Sequence, residues 1–282
     1  MKARDFHVVL VNRWFAAGNP LSEVIDTLVW GFGELGRSVT SGVNHWRPDA
    51  RQIVLCPHLL ADATLTSLAP GTIAYNFEQI DPASQLPPGR LAAFRDLCVW
   101  DYSPRNIEAW RRAGVAAIHL PVGWHPGLAR IQAAAEPDID VLFFGIANDR
   151  RRAALELIGK AGLKVVAAEM VFGRRRDELI ARAKAVVNIH HYSSGIFESV
   201  RASYLLANGV PLVSERAPGD EIPPSYEDAV LWSAYDELAA GCRAVVDDAA
   251  LRTRLRENGA AAMRRNPVAP LLHAALERSG DG

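Results

Sequence analysis

The residues whose types and spacing most favour chemistry lie within Asn188–Glu215, NIHHYSSGIFESVRASYLLANGVPLVSE. The pattern predicts a buried strand, a Ser-Ser-Gly loop at 193–195, a helix and a second buried strand. Where a loop meets a helix, backbone N–H groups and the positive helix end can hold a diphosphate. Glu198, predicted in the first turn of this helix, can accept hydrogen bonds from sugar hydroxyls. Phosphate donors beside a hydroxyl acceptor suit a nucleotide sugar.

Arg201 follows Glu198 by three residues, so the two side chains share one face of the predicted helix. Ile196, Val200 and Ala207 form the opposite, core-facing stripe. The face with Glu198 and Arg201 therefore points away from the core, where it can meet a ligand. The alternative is a surface salt bridge worth roughly 0.2–0.5 kcal/mol.

A second candidate phosphate loop begins at Gly145, after the first predicted strand of the C-terminal half. Ligands of open α/β sheets bind beyond the carboxyl ends of the strands, and a glycine there lets the backbone approach a phosphate. Asn148, Arg150 and Arg151 follow, and an arginine can neutralise a phosphate bidentately. Asp149 can equally be a helix N-cap with Arg151 in solvent. We favour phosphate binding because this loop and residues 193–195 are expected at the same sheet edge.

Two patterns resemble metal sites, and we expect neither to bind a metal. His190 and His191 are adjacent on a predicted strand and point to opposite faces, so they cannot chelate one ion together. One is expected to pack in the sheet and the other to face the ligand. Asp138 and Asp140 form a DxD pair, but the pair precedes a strand instead of following one.

In the first half, three polar residues stand at or just after predicted strand ends, where a general base is expected. They are His58, Glu78 and Asp101. Any of them can instead be a cap or turn residue. The loop after the opening strand contains Asn12, Arg13 and Trp14, which we assign to the acceptor side.

The elements that position these residues alternate between short β-rich runs and amphipathic stretches, which is typical of parallel sheets covered by helices. The alternation pauses over 121–137, PVGWHPGLARIQAAAEP. We predict two Rossmann-like α/β domains facing across a cleft. The acceptor-side domain spans 1–120, the linker 121–137 and the nucleotide-sugar-binding domain 138–282. Residues after Pro267 are either a tail packed across the first domain or a frayed end.

Gly31, Gly33 and Gly36 match the GxGxxG pattern of dinucleotide-binding proteins. That fingerprint must follow a strand and open a helix. Here the glycines fall at the end of a predicted helix, so we do not expect a nicotinamide site.

The composition is that of a soluble globular protein, with 49% hydrophobic and 22% charged residues. A net charge of −1 lacks the basic field that attracts nucleic acid. Cys56, Cys98 and Cys242 are too few and too widely spaced for a disulfide framework, which favours a reduced, cytoplasmic setting. No uncharged apolar stretch approaches the roughly 18 residues of a transmembrane segment. The oligomeric state, including a homo-oligomer, stays open.

Several segments resemble bacterial GT-B-fold glycosyltransferases of the group 1 type. They are IAYNFEQI at Ile73–Ile80, WDYSPRNIEAW at Trp100–Trp110, LPVGWHPGL at Leu120–Leu128, IDVLFFGIANDRR at Ile139–Arg151 and the 188–215 stretch. Together they span most of the chain. The resemblance implies the GT-B fold, a nucleotide-sugar donor in the C-terminal domain and an acceptor at the N-terminal domain.

Matched residue by residue, the resemblance implies that Gly145 and Arg151 belong to the first phosphate loop and that Glu198 contacts the donor sugar or ribose. It also implies that Ser194 and Gly195 bind the diphosphate. The predicted donor-binding set is Gly145, Asn148, Arg150, Arg151, His190, Tyr192, Ser193, Ser194, Gly195, Glu198, Arg201 and Glu215. The chain departs from many retaining relatives because Tyr204 stands where the second Glu of their Glu-x7-Glu pattern is expected. Retaining or inverting stereochemistry is therefore left open.

We expect a metal-independent glycosyltransferase that needs no cofactor and moves a sugar from a nucleotide-diphosphate sugar to a hydroxyl acceptor. Arg151, Arg201 and loop amides would stabilise the departing nucleotide diphosphate. If the enzyme inverts, a carboxylate or histidine of the first domain would deprotonate the acceptor. Two alternatives remain: a nucleotide-sugar epimerase on the same fold and a catalytically inactive binding subunit.

Overall fold

The computed structural model describes residues 5–13, 19–82, 84–191, 196–217, 219–220 and 222–280. Within these residues the chain forms two compact units. The N-terminal unit comprises 5–13, 21–125 and 267–280, and the C-terminal unit comprises 126–266 together with 19–20.

The N-terminal unit contains strands β1 (Phe6–Leu10), β2 (Val39–Val43), β3 (Arg51–Leu55), β4 (Ile73–Asn76), β5 (Cys98–Asp101) and β6 (Ala117–His119). They pair in parallel in the order β2-β1-β3-β4-β5-β6. Three helices accompany them: α1 (Ser22–Glu34), α2 (Asp62–Thr66) and α3 (Pro104–Arg112). Strand β2 lies on one side of β1, whereas β3 and the later strands follow on its other side. The strand order therefore reverses between β1 and β3.

The C-terminal unit contains strands β7 (Ile139–Phe144), β8 (Val165–Ala168), β9 (Ala183–Asn188), β10 (Leu212–Glu215) and β11 (Leu231–Ser233). They also pair in parallel, in the order β11-β10-β9-β7-β8. The helices are α4 (Asp149–Lys160), α5 (Gly173–Ala181), α6 (Ser199–Ala207), α7 (Leu238–Asp247) and α8 (Ala249–Arg264). Here the strand order reverses between β7 and β9.

A final helix, α9 (Val268–Arg278), belongs to the N-terminal unit and packs against α1. Its buried face consists of Val268, Leu272, Ala275 and Leu276, at the three- and four-residue spacing of an amphipathic helix. A Cβ at Gly31 of α1 would lie only 3.0 Å from Val268 Cγ2, so this glycine allows the two helices to approach closely.

The division of the chain therefore differs from the predicted boundary, which placed all of 138–282 in the second domain. The last helix lies with the N-terminal unit because its apolar face is covered there. The glycines of the GxGxxG pattern begin inside α1 instead of opening a helix after a strand, as the sequence predicted. The prediction of two Rossmann-like α/β domains is confirmed. No helix in the described part of the chain is both long and apolar enough to cross a bilayer.

Candidate functional site

Those predicted donor-binding residues that the structure describes lie where the strand order of the C-terminal sheet reverses. Gly145 directly follows β7, His190 follows β9 and Glu215 ends β10. Glu198 and Arg201 come from the start of α6. Such a reversal leaves a crevice at the carboxyl edge of the sheet, which is where ligands of doubly wound folds bind.

The carboxylate of Glu198 accepts hydrogen bonds from three side chains of this group. It occupies the N-cap position of α6, which begins at Ser199, so it precedes the first turn in which it was predicted. Its Oε1 accepts a hydrogen bond from Arg151 Nη2 at 3.0 Å, and its Oε2 accepts from Asn188 Nδ2 at 2.9 Å and from His190 Nδ1 at 3.1 Å. The side chain is 17% exposed. A carboxylate has about four acceptor positions, two on each oxygen, and among the described residues Oε1 uses one of its two, so it can accept one further hydrogen bond from a ligand.

The charges of Glu198 and His190 stabilise each other. Burial alone opposes ionisation of Glu198, but the hydrogen bond and charge of His190, with the charges of Arg201 and Arg151, lower its pKa to about 2. Burial also opposes protonation of His190, but its contacts with Asp220 and Glu198 raise its pKa to about 10. At neutral pH the site therefore holds a carboxylate and an imidazolium in direct contact.

The His190–Glu198 pair is expected to stabilise the fold most between about pH 4.5 and 6.5, the unperturbed pKa values of the two groups. The raised pKa of His190 means that its stabilisation is complete below pH 6.5 and is lost as pH rises toward 10. The lowered pKa of Glu198 means that its stabilisation is complete above pH 4.5 and is lost as pH falls toward 2. Calorimetric melting temperatures at successive pH values should show both slopes. His190→Gln should remove the alkaline slope, and His273→Gln, at an exposed helix position, should keep it; equal slopes in both variants would contradict the assignment.

Arg151 points into the protein. It is 3% exposed, and besides its bond to Glu198 its Nε donates to Ile189 O at 2.9 Å and its Nη1 to Ile146 O at 2.8 Å. Burial and the nearby charge of Arg201 lower its pKa to about 10, so it stays a cation at neutral pH. Its predicted contact with a phosphate stays a prediction. In the structure its guanidinium holds Glu198 and two carbonyl groups.

Arg150 and Glu215, both predicted to bind the donor, bond to each other. Arg150 Nη1 donates to Glu215 Oε2 at 2.7 Å, and a second bond joins Nη2 to Oε1. Glu215 Oε2 also accepts from the backbone N–H of His190 at 3.0 Å, and the Arg150 guanidinium lies 4.0 Å from the ring centroid of Tyr235. Because Glu215 is 3% exposed, this geometry favours a supporting role that ties α4 to the ends of β9 and β10.

Gly145 and Arg201 adjoin each other at the start of the candidate phosphate loop that follows β7. Gly145 has φ of +130°, a conformation that favours glycine. A Cβ at this position would lie 2.8 Å from Arg201 Nη2, so the glycine lets the guanidinium lie against the backbone. Arg201 Nη1 donates to Asn188 Oδ1 at 2.6 Å, which fixes the cation beside the loop.

Asn148 caps α4 and joins it to the end of β9. Its Oδ1 accepts from the backbone N–H of Arg151 at 3.0 Å, and its Nδ2 donates to His191 O at 2.9 Å. The N-terminus of α4 therefore reaches the same sheet edge as Gly145 and His190, where its positive end can attract an anion.

Sequence reasoning missed three residues of this network: Asn188, Ser214 and Asp220. Asn188 ends β9, is 1% exposed and bonds to Glu198, Arg201 and Ser214. A polar residue that ends an apolar strand, AKAVVN, is the signal that could have identified it. Asp220 lies in the loop after β10, where no periodic pattern points to it.

Five predicted residues lie outside the part of the chain that the structure describes. They are Trp14, Tyr192, Ser193, Ser194 and Gly195. Their assignments stay predictions.

In the N-terminal unit, His58 and Glu78 form a pair beyond the carboxyl ends of β3 and β4. His58 Nε2 lies 3.7 Å from Glu78 Oε2. Burial raises the pKa of Glu78, whereas burial and the charges of Arg90 and Arg13 lower the pKa of His58 to about 4. The pair is therefore a neutral imidazole beside a carboxylate whose pKa moves toward neutrality, the direction that a general base requires.

Asp101 supports this pair and does not join it. Its carboxylate accepts from Asn76 Nδ2 at 2.7 Å, Trp110 Nε1 at 2.8 Å and Asn106 Nδ2 at 3.1 Å. The same amide groups of Asn76 and Asn106 also donate to the backbone oxygen of Glu78, at 2.8 and 2.9 Å. Asp101 is 0% exposed, which argues against the predicted general-base role and favours a role in fixing the turn of Glu78.

Asn12 and Arg13 follow β1, at the strand reversal of the N-terminal sheet. The backbone N–H of Asn12 donates to Asn44 Oδ1 at 3.0 Å, and Asn44 Nδ2 donates to Asn12 O at 2.7 Å. Arg13 Nη2 bonds to Leu59 O, next to His58. The acceptor-side assignment of Asn12 and Arg13 stays a prediction.

Asp138 and Asp140, the DxD pair, stand at the start of β7, the opposite end from Gly145. Arg182 Nε donates to Asp138 Oδ1 at 2.7 Å, and Lys184 Nζ donates to Asp140 Oδ1 at 2.7 Å. Both carboxylates are therefore paired with cations. Among the described residues, no three His, Cys, Asp or Glu side chains are grouped so as to hold a metal ion.

No protein-family model matches the sequence. Two uncharacterised proteins of Acanthamoeba polyphaga mimivirus are similar to parts of it. One is 28% identical over 151 residues, which cover 51% of this chain and 49% of the viral protein. The other is 34% identical over 106 residues, which cover 36% of this chain and 12% of the viral protein. The chain thus matches about half the length of the first viral protein and far less of the second.

Several solved structures are similar along nearly the whole chain. The Anabaena protein HepE in complex with UDP-glucose superposes with a TM-score of 0.66, 10% identity and coverage of 98% of this chain and 100% of that one. Sucrose-phosphate synthase of Thermosynechococcus elongatus gives 0.62, 12% identity and 97% coverage of both chains. AviGT4, a glycosyltransferase of avilamycin A biosynthesis, gives 0.57, 18% identity and 97% coverage of both. These likenesses confirm the predicted α/β fold class of the GT-B type.

Proposed function

We propose that the chain is a metal-independent glycosyltransferase whose C-terminal unit binds a nucleoside-diphosphate sugar. The observation that carries this proposal is Glu198, an ionised carboxylate with one oxygen still able to accept a hydrogen bond, beside a guanidinium and a helix N-terminus. A hydroxyl-rich group with an adjacent diphosphate matches this combination. The fold is shared with HepE, whose structure contains UDP-glucose.

The diphosphate would lie between Gly145, the N-terminus of α4 and Arg201. Backbone N–H groups after Gly145 and the positive end of α4 supply fixed partial charges, and Arg201 supplies a full charge. Negative charge builds up on the nucleoside diphosphate as the glycosidic bond to it breaks. Cations and dipoles already in place there lower the barrier without any reorganisation during the reaction.

Metal independence is proposed because these groups supply the charge that a divalent cation would otherwise give. The DxD carboxylates are paired with Arg182 and Lys184 at the other end of the strand. We therefore expect binding and turnover of the donor to persist in a chelating buffer.

The acceptor hydroxyl would meet the N-terminal unit, where Glu78 is our candidate general base if the reaction inverts the anomeric centre. Burial moves the pKa of Glu78 upward, and neutral His58 lies beside it. Asp101 bonds to the side-chain amides of Asn76 and Asn106, and these amides also bond to the backbone oxygen of Glu78 and so fix its turn. These contacts would keep the Glu78 carboxylate oriented toward the acceptor hydroxyl during the reaction.

A calorimetric and thermal-shift screen against UDP, GDP, dTDP, ADP, CMP and their sugars tests this function. A ligand at about 100 times its dissociation constant should stabilise the protein by about 2.7 kcal/mol. Glu198→Gln should weaken the response to the sugar nucleotide, whereas Glu178→Gln, an exposed residue of α5, should not. No response to any nucleotide would contradict the proposal.

Incubation with donor alone separates the alternatives: an altered sugar indicates an epimerase, and binding without turnover across acceptors indicates an inactive subunit.

A further inference from the structure

His190 lies between two carboxylates, and this arrangement sets its protonation state. Its Nδ1 is 3.1 Å from Glu198 Oε2 and its Nε2 is 3.0 Å from Asp220 Oδ2. Both neighbours are acceptors, so each ring nitrogen must donate, and only the imidazolium donates from both. The His190 side chain is 1% exposed, so water does not replace either partner.

The carboxylate of Asp220 is buried. Its side chain is 1% exposed, and its Oδ2 accepts from the backbone N–H of Ala217 at 2.7 Å as well as from His190. Its Oδ1 is buried and has no hydrogen-bond partner among the described residues. Burying a carboxylate oxygen without a partner is costly. The contacts that compensate this cost are those of Oδ2 with His190 and with the backbone N–H of Ala217, and the contact with His190 is the one that reaches the donor site.

His190 connects Asp220 to Glu198 in the donor site. Glu198 Oε2 accepts from both His190 and Asn188, and these two bonds hold the carboxylate in one orientation. Among the described residues Oε1 accepts only from Arg151, so in that orientation Oε1 is the oxygen that can accept from a ligand hydroxyl. A histidine that lost its second partner could turn or lose its proton, and Glu198 would then lose one of the three hydrogen bonds that orient its carboxylate.

We propose that Asp220 is a positioning residue for the nucleotide-sugar site. Its carboxylate keeps both ring nitrogens of His190 protonated, and His190 in turn orients Glu198 so that Oε1 faces a hydroxyl of the bound nucleotide sugar. This inference rests on the proposed function for the identity of the ligand. The contact between Asp220 and His190 itself stands on the geometry alone. Asp220 would thereby contribute to donor recognition through His190.

Nuclear magnetic resonance of the histidine ring nitrogens tests the first step. In the wild-type protein, His190 should stay doubly protonated from pH 6 to 9, and its raised pKa agrees with that expectation. Asp220→Asn should bring its titration down into that range. Asp247→Asn, which changes an exposed aspartate paired with Arg243, should leave it untouched. An ordinary titration near pH 6.5 in the wild-type protein would overturn the proposal, even if Asp220→Asn failed to fold.

A double-mutant cycle on donor affinity tests the second step. Asp220→Asn should raise the dissociation constant of the nucleotide sugar that the screen identifies by about tenfold, by analogy with the roughly 10–100-fold effect of hydrogen-bond partners behind metal-binding histidines. In a His190→Gln background the same change should have almost no further effect, because Asp220 acts through His190. Additive effects, or an unchanged dissociation constant in Asp220→Asn, would overturn the proposal. If the wild-type protein binds no nucleotide sugar, the proposed function fails, and the ring titration still decides whether Asp220 governs His190.

Discussion

Arg151→Met is expected to lower the free energy of unfolding by about 3–5 kcal/mol, the usual cost of removing one partner of a buried ion pair. The substitution would leave Glu198 Oε1 and the carbonyl oxygens of Ile189 and Ile146 without their donor. Methionine keeps an unbranched stem of similar length, so the loss reports chiefly the guanidinium. In a unit of this size the melting temperature should fall by roughly 6–20 °C.

Arg152→Met is the matched control, because the neighbouring arginine pairs with Asp149 on the exposed side of α4. Exposed pairs contribute about 0–1 kcal/mol, so the melting temperature should hardly change. Scanning calorimetry of both variants in one buffer makes the comparison. If the melting temperature of Arg151→Met falls as little as that of the control, Arg151 is not needed for the fold. The prediction that it binds a phosphate would then be favoured.

Arg201→Ala is expected to reduce the turnover number for glycosyl transfer by about 10²–10³-fold, the effect of removing one group that stabilises transition-state charge. Arg201 differs from Arg151 because its Nη2 lies against Gly145, at the start of the loop where the diphosphate is proposed. The fold should tolerate the change better than it tolerates loss of Arg151. Within the described residues, the Arg201 guanidinium donates to Asn188 Oδ1, whereas that of Arg151 holds three acceptors.

Initial rates at saturating donor, measured for Arg201→Ala and for Arg174→Ala, check this expectation. Arg174 is an exposed arginine of α5 that pairs with Glu178, so its replacement should leave turnover unchanged. Arg201→Lys should recover part of the activity, since an ammonium keeps the charge and loses the planar donor pair. Full activity in Arg201→Ala with an intact melting temperature would place the leaving group elsewhere.

Much of the candidate site could be predicted because strand ends are encoded locally. Short apolar runs such as Val141–Phe144 and Pro211–Ser214 indicate buried parallel strands, and the residues that follow them must emerge at one edge of the sheet. Gly145 and Glu215 could therefore be assigned to that edge before any contact was known. His190 is predicted within a strand, and the structure ends this strand at Asn188, so that His190 follows it. The same reasoning predicts His58, Glu78 and Asp101 at strand ends of the N-terminal unit, but only the structure shows that His58 and Glu78 face each other.

The sequence by itself determined the two α/β domains and the sheet edges at which polar residues collect, because hydrophobic periodicity and strand direction are properties of short segments. Only the tertiary structure decided which polar group bonds to which. Arg151 turns inward to Glu198, Glu215 pairs with Arg150, and Asp220 reaches His190 from 30 residues away. Burial and neighbouring charges decide which of several possible acceptors a long, flexible side chain bonds to. Both depend on segments that meet only after folding. For the same reason the sequence left the residues after Pro267 as either a tail packed across the first domain or a frayed end, and only the structure shows that they form α9 in the N-terminal unit.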